Sequence, residues 1–185
     1  MNKNLFYGLL ILLFNYSCTN VHSQEIASTP NREDSVYVST PTHFSDDLVR
    51  NDSLYTSIIR VDKQENDEYL FTVQMYLKKN AYFVSPNEPK IFSGKFTIVI
   101  TEPQKISTTG TIAELPLSTV DKNEGFVHLV RKNTTYKQTL KVLSEEDFEA
   151  SGYIQFTIEP RCTLEKIPFV LSFVNGKLSV KLDGC

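Results

Sequence analysis

The chain has no tryptophan, only two methionines, three histidines and three cysteines among 185 residues, and these shortages bound its chemistry. Without tryptophan, the strongest aromatic platform for stacking on a sugar ring is missing. The histidines, His22, His43 and His128, make no His-x-x-x-His pair, and the cysteines make no Cys-x-x-Cys. Neither a zinc site nor a nucleophile beside an oriented histidine is therefore legible. His128, between Val127 and Leu129 in an alternating stretch, reads as an exposed strand residue rather than a base. Basic excess is absent too: the net charge of −3, with no polybasic stripe, argues against nucleic-acid binding. The longest apolar run, Leu5 to Phe14, is about half of what a membrane-spanning helix needs. No catalytic, cofactor-binding or metal-binding residue is assigned, and the expectation is a protein that is not an enzyme and carries no cofactor.

What is present begins at the N-terminus. Met1-Asn2-Lys3-Asn4 precedes the Leu5 to Phe14 run, which ends in Asn15-Tyr16-Ser17-Cys18. A lone lysine, a short apolar core and a cysteine where that core ends form an export signal closed by a lipidation cysteine. The segment resembles bacterial lipoprotein precursors, in which a signal peptidase cuts before a cysteine whose thiol carries diacylglycerol. The resemblance covers this segment alone. It implies that residues 1–17 are a signal peptide and that Cys18 becomes the lipidated first residue. It also implies a protein of the cell envelope held to a bacterial membrane, expected to be the outer membrane, through its N-terminal lipid. The residues ahead of the cysteine depart from the usual Leu, small residue, Ala or Gly: only Ser17 fits. The alternative is secretion after cleavage behind Val21-His22-Ser23, leaving Gln24 first. No acidic run follows Cys18, so membrane and leaflet stay open.

Residues 18–52 are rich in Ser, Thr, Asn, Asp and Pro, a composition that buries too little apolar surface to offset its ordering entropy. They read as a tether, with Ser35 to Ser39 as the one short strand allowed within it. Two triplets, Asp34-Ser35-Val36 and Asp52-Ser53-Leu54, match an Asp-Ser/Thr-apolar sequon that some Gram-negative bacteria O-glycosylate, which makes Ser35 and Ser53 candidate sites.

Residues 53–185 have the size of one domain. Leu54 to Val61 and Tyr69 to Leu77 flank a polar turn and predict a hairpin. Lys95 to Thr101 and Lys105 to Ile112 follow, with Gly110 marking a bulge or bend. Phe126 to Arg131 and Thr135 to Val142 flank a second turn at Lys132-Asn133-Thr134. Ile154, Phe156 and Ile158 alternate with polar residues, as do Phe169, Leu171 and Phe173, and Asn175-Gly176 supplies a type I′ turn before Leu178, Val180 and Leu182. Ser144-Glu145-Glu146-Asp147 looks like a helix start and Gly152 like its end. The expected fold is all-β: a two-sheet antiparallel sandwich, Greek-key or immunoglobulin-like, with one short connecting helix.

Cys18 aside, Cys162 and Cys185 remain as a pair in an oxidising compartment. Three strands running up, down and up would leave both just past one end of the sheet, and closing that loop would contribute about 3 kcal/mol. The acids Asp62, Glu65, Asp67 and Glu68 lack a calcium-loop pattern and read as a solvated hairpin tip. Glu145, Glu146, Asp147 and Glu149 belong to the expected helix start. Tyr76, Tyr82, Phe83 and Phe92, around the irregular Ser85 to Lys90 segment, fit core positions at strand ends better than a glycan-binding rim. The functional expectation is a lipid-anchored envelope module that binds another envelope protein through a strand edge or loop cluster. The alternatives are an anchored inhibitor or immunity-type protein, or a glycan-capture or surface-assembly module. The sequence leaves oligomeric state open.

Overall fold

The computed structural model describes residues 47–181 apart from 90, 124 and 126. Cys18, His22, Ser35, His43 and Cys185 lie outside the described residues, as does nearly all of the expected tether. The described chain is all-β and contains no helix. Strands β1 (Leu48–Asn51), β2 (Tyr55–Lys63), β3 (Glu68–Leu77), β9 (Thr134–Val142) and β6 (Ile106–Leu115) form one antiparallel sheet, in the order β1-β2-β3-β9-β6. Strands β12 (Lys177–Lys181), β11 (Thr163–Val174), β10 (Phe148–Ile158) and β5 (Thr97–Ile100) form a second, in that order. A small third sheet joins β4 (Phe83–Val84), β8 (Val127–Val130) and β7 (Thr119–Asp121).

The two large sheets face each other across an aromatic core. Phe71 of β3 meets Phe169 of β11 with ring centroids 4.9 Å apart, and Tyr55 of β2 meets Phe156 of β10 at 5.2 Å. Phe96, just before β5, stacks on Tyr136 of β9 at 4.0 Å. Each such pair adds about 0.5–1.5 kcal/mol beyond the area it buries. The alternation read in β10 and β11 is realised: Ile154, Phe156, Ile158, Phe169, Leu171 and Phe173 are all buried. Asn175 and Gly176 take φ of 51° and 74°, as a type I′ turn requires. The β2–β3 hairpin forms with Tyr55 opposite Leu77, and β6 shifts register between Thr109 and Ala113, around Gly110.

Three expectations are corrected. Leu143 to Asp147 is a bend and not a helix, because Phe148 already pairs with Phe173 and stacks on its ring at 5.3 Å. Five residues between two paired strands leave no room for two helical turns. Gly152 is therefore no helix stop. It lies mid-strand, where a Cβ would stand 2.5 Å from the Phe169 ring and 2.7 Å from the Val99 carbonyl oxygen. Only glycine lets β10 pass between β5 and β11 at that point.

The expected turn after β8 leads into β9, but the two strands do not pair with each other: β8 joins the small sheet, and β9 runs between β3 and β6. Second, the ordered domain starts before residue 53, since Leu48–Asn51 pairs with β2. Third, the geometry argues against a Cys162–Cys185 bond. Cys162 is a free, exposed cysteine. Lys181 pairs with Val170, eight residues from Cys162 and so roughly 26 Å away along extended strand, whereas four residues from Lys181 span at most roughly 14 Å. Strand β11 simply outruns the return of β12.

Candidate interaction surface at the β5 edge

The two lateral borders of the sandwich differ. On one side β12 lies against β2, with Leu178 and Val180 buried. On the other, β5 and β6 leave an open seam. Two clefts run end to end along it, one of about 310 Å³ between Lys95, Ile98, Ile112 and Gln138, the other of about 380 Å³ between Ile98, Ile100, Pro103 and Ile106. Ile98 and Ile100 sit opposite Ile154 and Gly152 of β10, which places their side chains on the inner face. Both nevertheless remain partly exposed, because nothing in the described chain covers that mouth.

The main chain of β5 is half used. Thr101 donates its N–H to the Ser151 carbonyl at 2.9 Å, and the pairing with β10 alternates from there. Val99 and Thr97 therefore turn their main-chain groups toward β10, and Ile98 and Ile100 turn theirs outward. Among the described residues, those outward N–H and C=O groups have no partner. On the floor of the seam Gln138, buried, donates Nε2–H to the Thr109 carbonyl at 2.8 Å and to the Thr139 carbonyl at 3.4 Å, while among the described residues its Oε1 accepts no hydrogen bond. The arrangement offers an extended peptide main-chain hydrogen bonds, apolar contact and one side-chain acceptor.

At one end of the seam a buried carboxylate organises the loops. Glu114 Oε2 accepts from the Ser85 hydroxyl at 2.8 Å, the Asn87 amide at 3.2 Å, and the Ser118 hydroxyl and N–H at 3.0 and 3.3 Å. Its Oε1 accepts from the Tyr136 hydroxyl at 3.2 Å. Burial first, then the charge and hydrogen bond of Glu114, push the Tyr136 phenol far above its ordinary ionisation. These five donors account for a buried charge with no cation among them, a structural role. Nearby, buried Glu88 accepts from the His128 N–H at 2.7 Å and stands 3.0 Å from its Nδ1. His128 is thus half-buried and held by an acid, not an exposed strand residue. No sequence spacing announced that pair, since Glu88 and His128 lie 40 residues apart.

The other residues singled out in the sequence go elsewhere. Ser53 is exposed in the β1–β2 turn, not in a tether, and Arg161 reaches its hydroxyl at 3.4 Å. Arg161 also pairs with Asp52 at 3.2 Å and Glu165 at 2.6 Å, beside Cys162. Burial raises the Asp52 carboxyl, but the Leu54 N–H and Arg161 outweigh it and hold the group below its ordinary value. Of the hairpin-tip acids, Asp62 pairs with Arg60 and Asp67 with Lys63, each at 3.4 Å. Asp147 caps the Asn175 N–H at 2.9 Å, and Glu149 pairs with Lys181. Phe83 is core, Tyr82 lies under Arg131 at 3.9 Å, and Tyr76 and Phe92 are exposed without forming part of the seam. A third cleft of about 410 Å³ near Lys63, Lys141, Glu145 and Phe173 mixes both charges at the turn end of the sandwich.

The fold and this edge define a class, an all-β sandwich with one strand left open for pairing. No protein-family model matches the sequence, and no characterised protein matches it. Among solved structures, the chain is similar to the GAE domain of GGA2p from Saccharomyces cerevisiae. The identity is 10% and the TM-score 0.39, over 70% of this chain and 98% of that one. A likeness of that degree carries no argument about function.

Proposed function

We propose that this protein is a non-catalytic binding module of the bacterial cell envelope, anchored through a lipid on Cys18, that takes an extended segment of a protein partner onto the β5 edge. The sandwich is read as Greek-key and immunoglobulin-like in architecture, with β5 to β6 and β9 to β10 crossing between the sheets. The observation that carries the proposal is the outward main chain of Ile98 and Ile100 beside an apolar seam. Edges of this kind are normally blunted by charge, proline or bulges, and an unblunted one is a template for strand addition. The anchor supports the setting: several acyl chains at about 0.8 kcal/mol per buried methylene would hold the domain at a membrane surface.

The test is crosslinking and purification of the full-length protein from its native membranes, in parallel with an Ile98→Arg variant whose fold is checked by circular dichroism. The expected result is one stoichiometric protein species captured by the wild type and lost from the variant, on a bait heavier by diacylglycerol. Equal capture by both proteins would sink the β5 assignment, and a bait of unlipidated mass beginning at Gln24 would sink the anchor.

A further inference from the structure

Four strands form the edges of the two large sheets, and three of them are protected. β1 carries Arg50. β6 is broken by its bulge. β12 has Lys177 and Lys181 at its two ends, so an antiparallel copy centred on Ser179 would set lysine against lysine. β5, Thr97-Ile98-Val99-Ile100, has no charge, proline or bulge.

The outward groups of β5 are also self-complementary. Ile98 and Ile100 each present one N–H and one C=O, two residues apart. About a two-fold axis at Val99, Ile98 faces Ile100 of a second antiparallel copy, and all of these groups pair in four main-chain hydrogen bonds. Paired residues share a face, so Ile98 and Ile100 of the second copy would lie over the mouth of the seam, toward Ile106 and Ile112.

The charges that bracket β5 are of opposite sign. Lys95 precedes it and Glu102 follows it, and antiparallel pairing brings Lys95 of each copy opposite Pro103 of the other, one residue from Glu102. Among the described residues, Lys95 is held at home by a 3.4 Å contact to the Glu88 carbonyl. Glu102 already accepts from the Ser151 N–H at 2.8 Å and the Thr101 hydroxyl at 2.7 Å, so its position is fixed. Lys105, the other cation at that end, is turned away onto the Glu149 carbonyl at 2.8 Å. We infer that the occupant of the β5 edge is a second copy of this chain, joined to it as a two-fold dimer through a continuous eight-stranded sheet. This rests on the proposed reading of β5 as a binding edge and names its partner.

The experiment uses the full-length protein in detergent. A Val99→Cys substitution, in a background with Cys162→Ser and Cys185→Ser, places two thiols across the axis in a non-hydrogen-bonded pair. Mild oxidation is expected to give a covalent dimer on a non-reducing gel. Thr97→Cys in the same background, where the facing residue is Thr101, is expected to give about tenfold less. Val99→Lys sets two ammonium groups together and is expected to weaken the dimer about tenfold or more in sedimentation, with the fold intact by circular dichroism. Equal crosslinking at the two positions, or a monomeric wild type at every concentration, would overturn the dimer. A monomeric wild type that still loses a different partner on Ile98→Arg would leave strand addition standing while removing self-pairing. No dimer and no edge-dependent partner would remove both.

Discussion

Strands β12 and β5 are the outer members of the same four-stranded sheet, yet they are finished in opposite ways. β12 has lysines at both ends and lies against β2, so its border is both charged and packed. β5 is uncharged, pairs on one side only, and borders two clefts of about 310 and 380 Å³. Both strands turn apolar side chains toward the inner face, so the difference lies in what prevents a further strand from adding. Protection of edges is a local choice in β-proteins, and one open edge beside three protected ones points to use at that position.

The most direct way to break the contrast is to dislodge β5. At Gly152, a methyl group would meet the Phe169 ring at 2.5 Å and the Val99 carbonyl at 2.7 Å, so Gly152→Ala must push either the core or β5 outward. The expected loss is about 3 kcal/mol, the upper range for overpacking. Urea unfolding should show a lower midpoint at unchanged slope. An unchanged midpoint would mean that β5 is held more loosely than its pairing suggests.

A second effect compares the borders by pH. Tyr136 stacks under Phe96 at the open seam and donates to Glu114, while Tyr55 lies on β2 near the closed border and donates to Glu165 at 3.1 Å. In both, burial is the first cause and the neighbouring carboxylate the second of a phenol pushed far above its ordinary value. The stabilising form is the neutral one. Below the unfolded pKa near 10, folded and unfolded chains hold the same protons and stability is unaffected. Above it, the unfolded chain releases protons that the folded chain keeps. Stability should then fall by about 1.4 kcal/mol per pH unit for each tyrosine. Urea midpoints from about pH 9 upward test this, and Tyr136→Phe or Tyr55→Phe should each remove its share of the slope. A slope surviving both substitutions would assign it to other groups.

The strands of this domain were legible where burial alternates strictly. Ile154, Phe156 and Ile158 announced β10, and Asn175-Gly176 announced its neighbouring hairpin, because both signals are local. Signals failed where partners are distant. Ser144-Glu145-Glu146 has helix-start chemistry, but pairing of Phe148 with Phe173 claims the chain first. Leu48–Asn51 looked polar enough to be tether, and becomes a strand only because β2 offers it an edge. The open border could not be read at all, since whether Ile98 is covered depends on where β6 lies, a property of the packed sheets and not of either segment. The strand-edge expectation could not say which edge.

A smaller effect sharpens the edge comparison. If lysines keep β12 unpaired, then Lys177→Thr with Lys181→Thr should change stability by only about 0.5 kcal/mol, because the Lys181–Glu149 pair is exposed. The double variant should instead gain mass in sedimentation at concentrations where the wild type is constant. No gain would show that packing against β2, not charge, protects that border.

The smallest expected effect is none. A disulfide between Cys162 and Cys185 would contribute about 3 kcal/mol and make Tm sensitive to reductant. The register instead leaves Cys162, at the β10–β11 turn, beyond the reach of four residues past Lys181. Thermal unfolding with and without dithiothreitol should therefore coincide, and digestion under non-reducing conditions should yield the Cys162 peptide unlinked to Cys185. A linked peptide would require β12 to leave β11 near its end, which would expose Val170 and Val180 and turn the better protected border into the more open one.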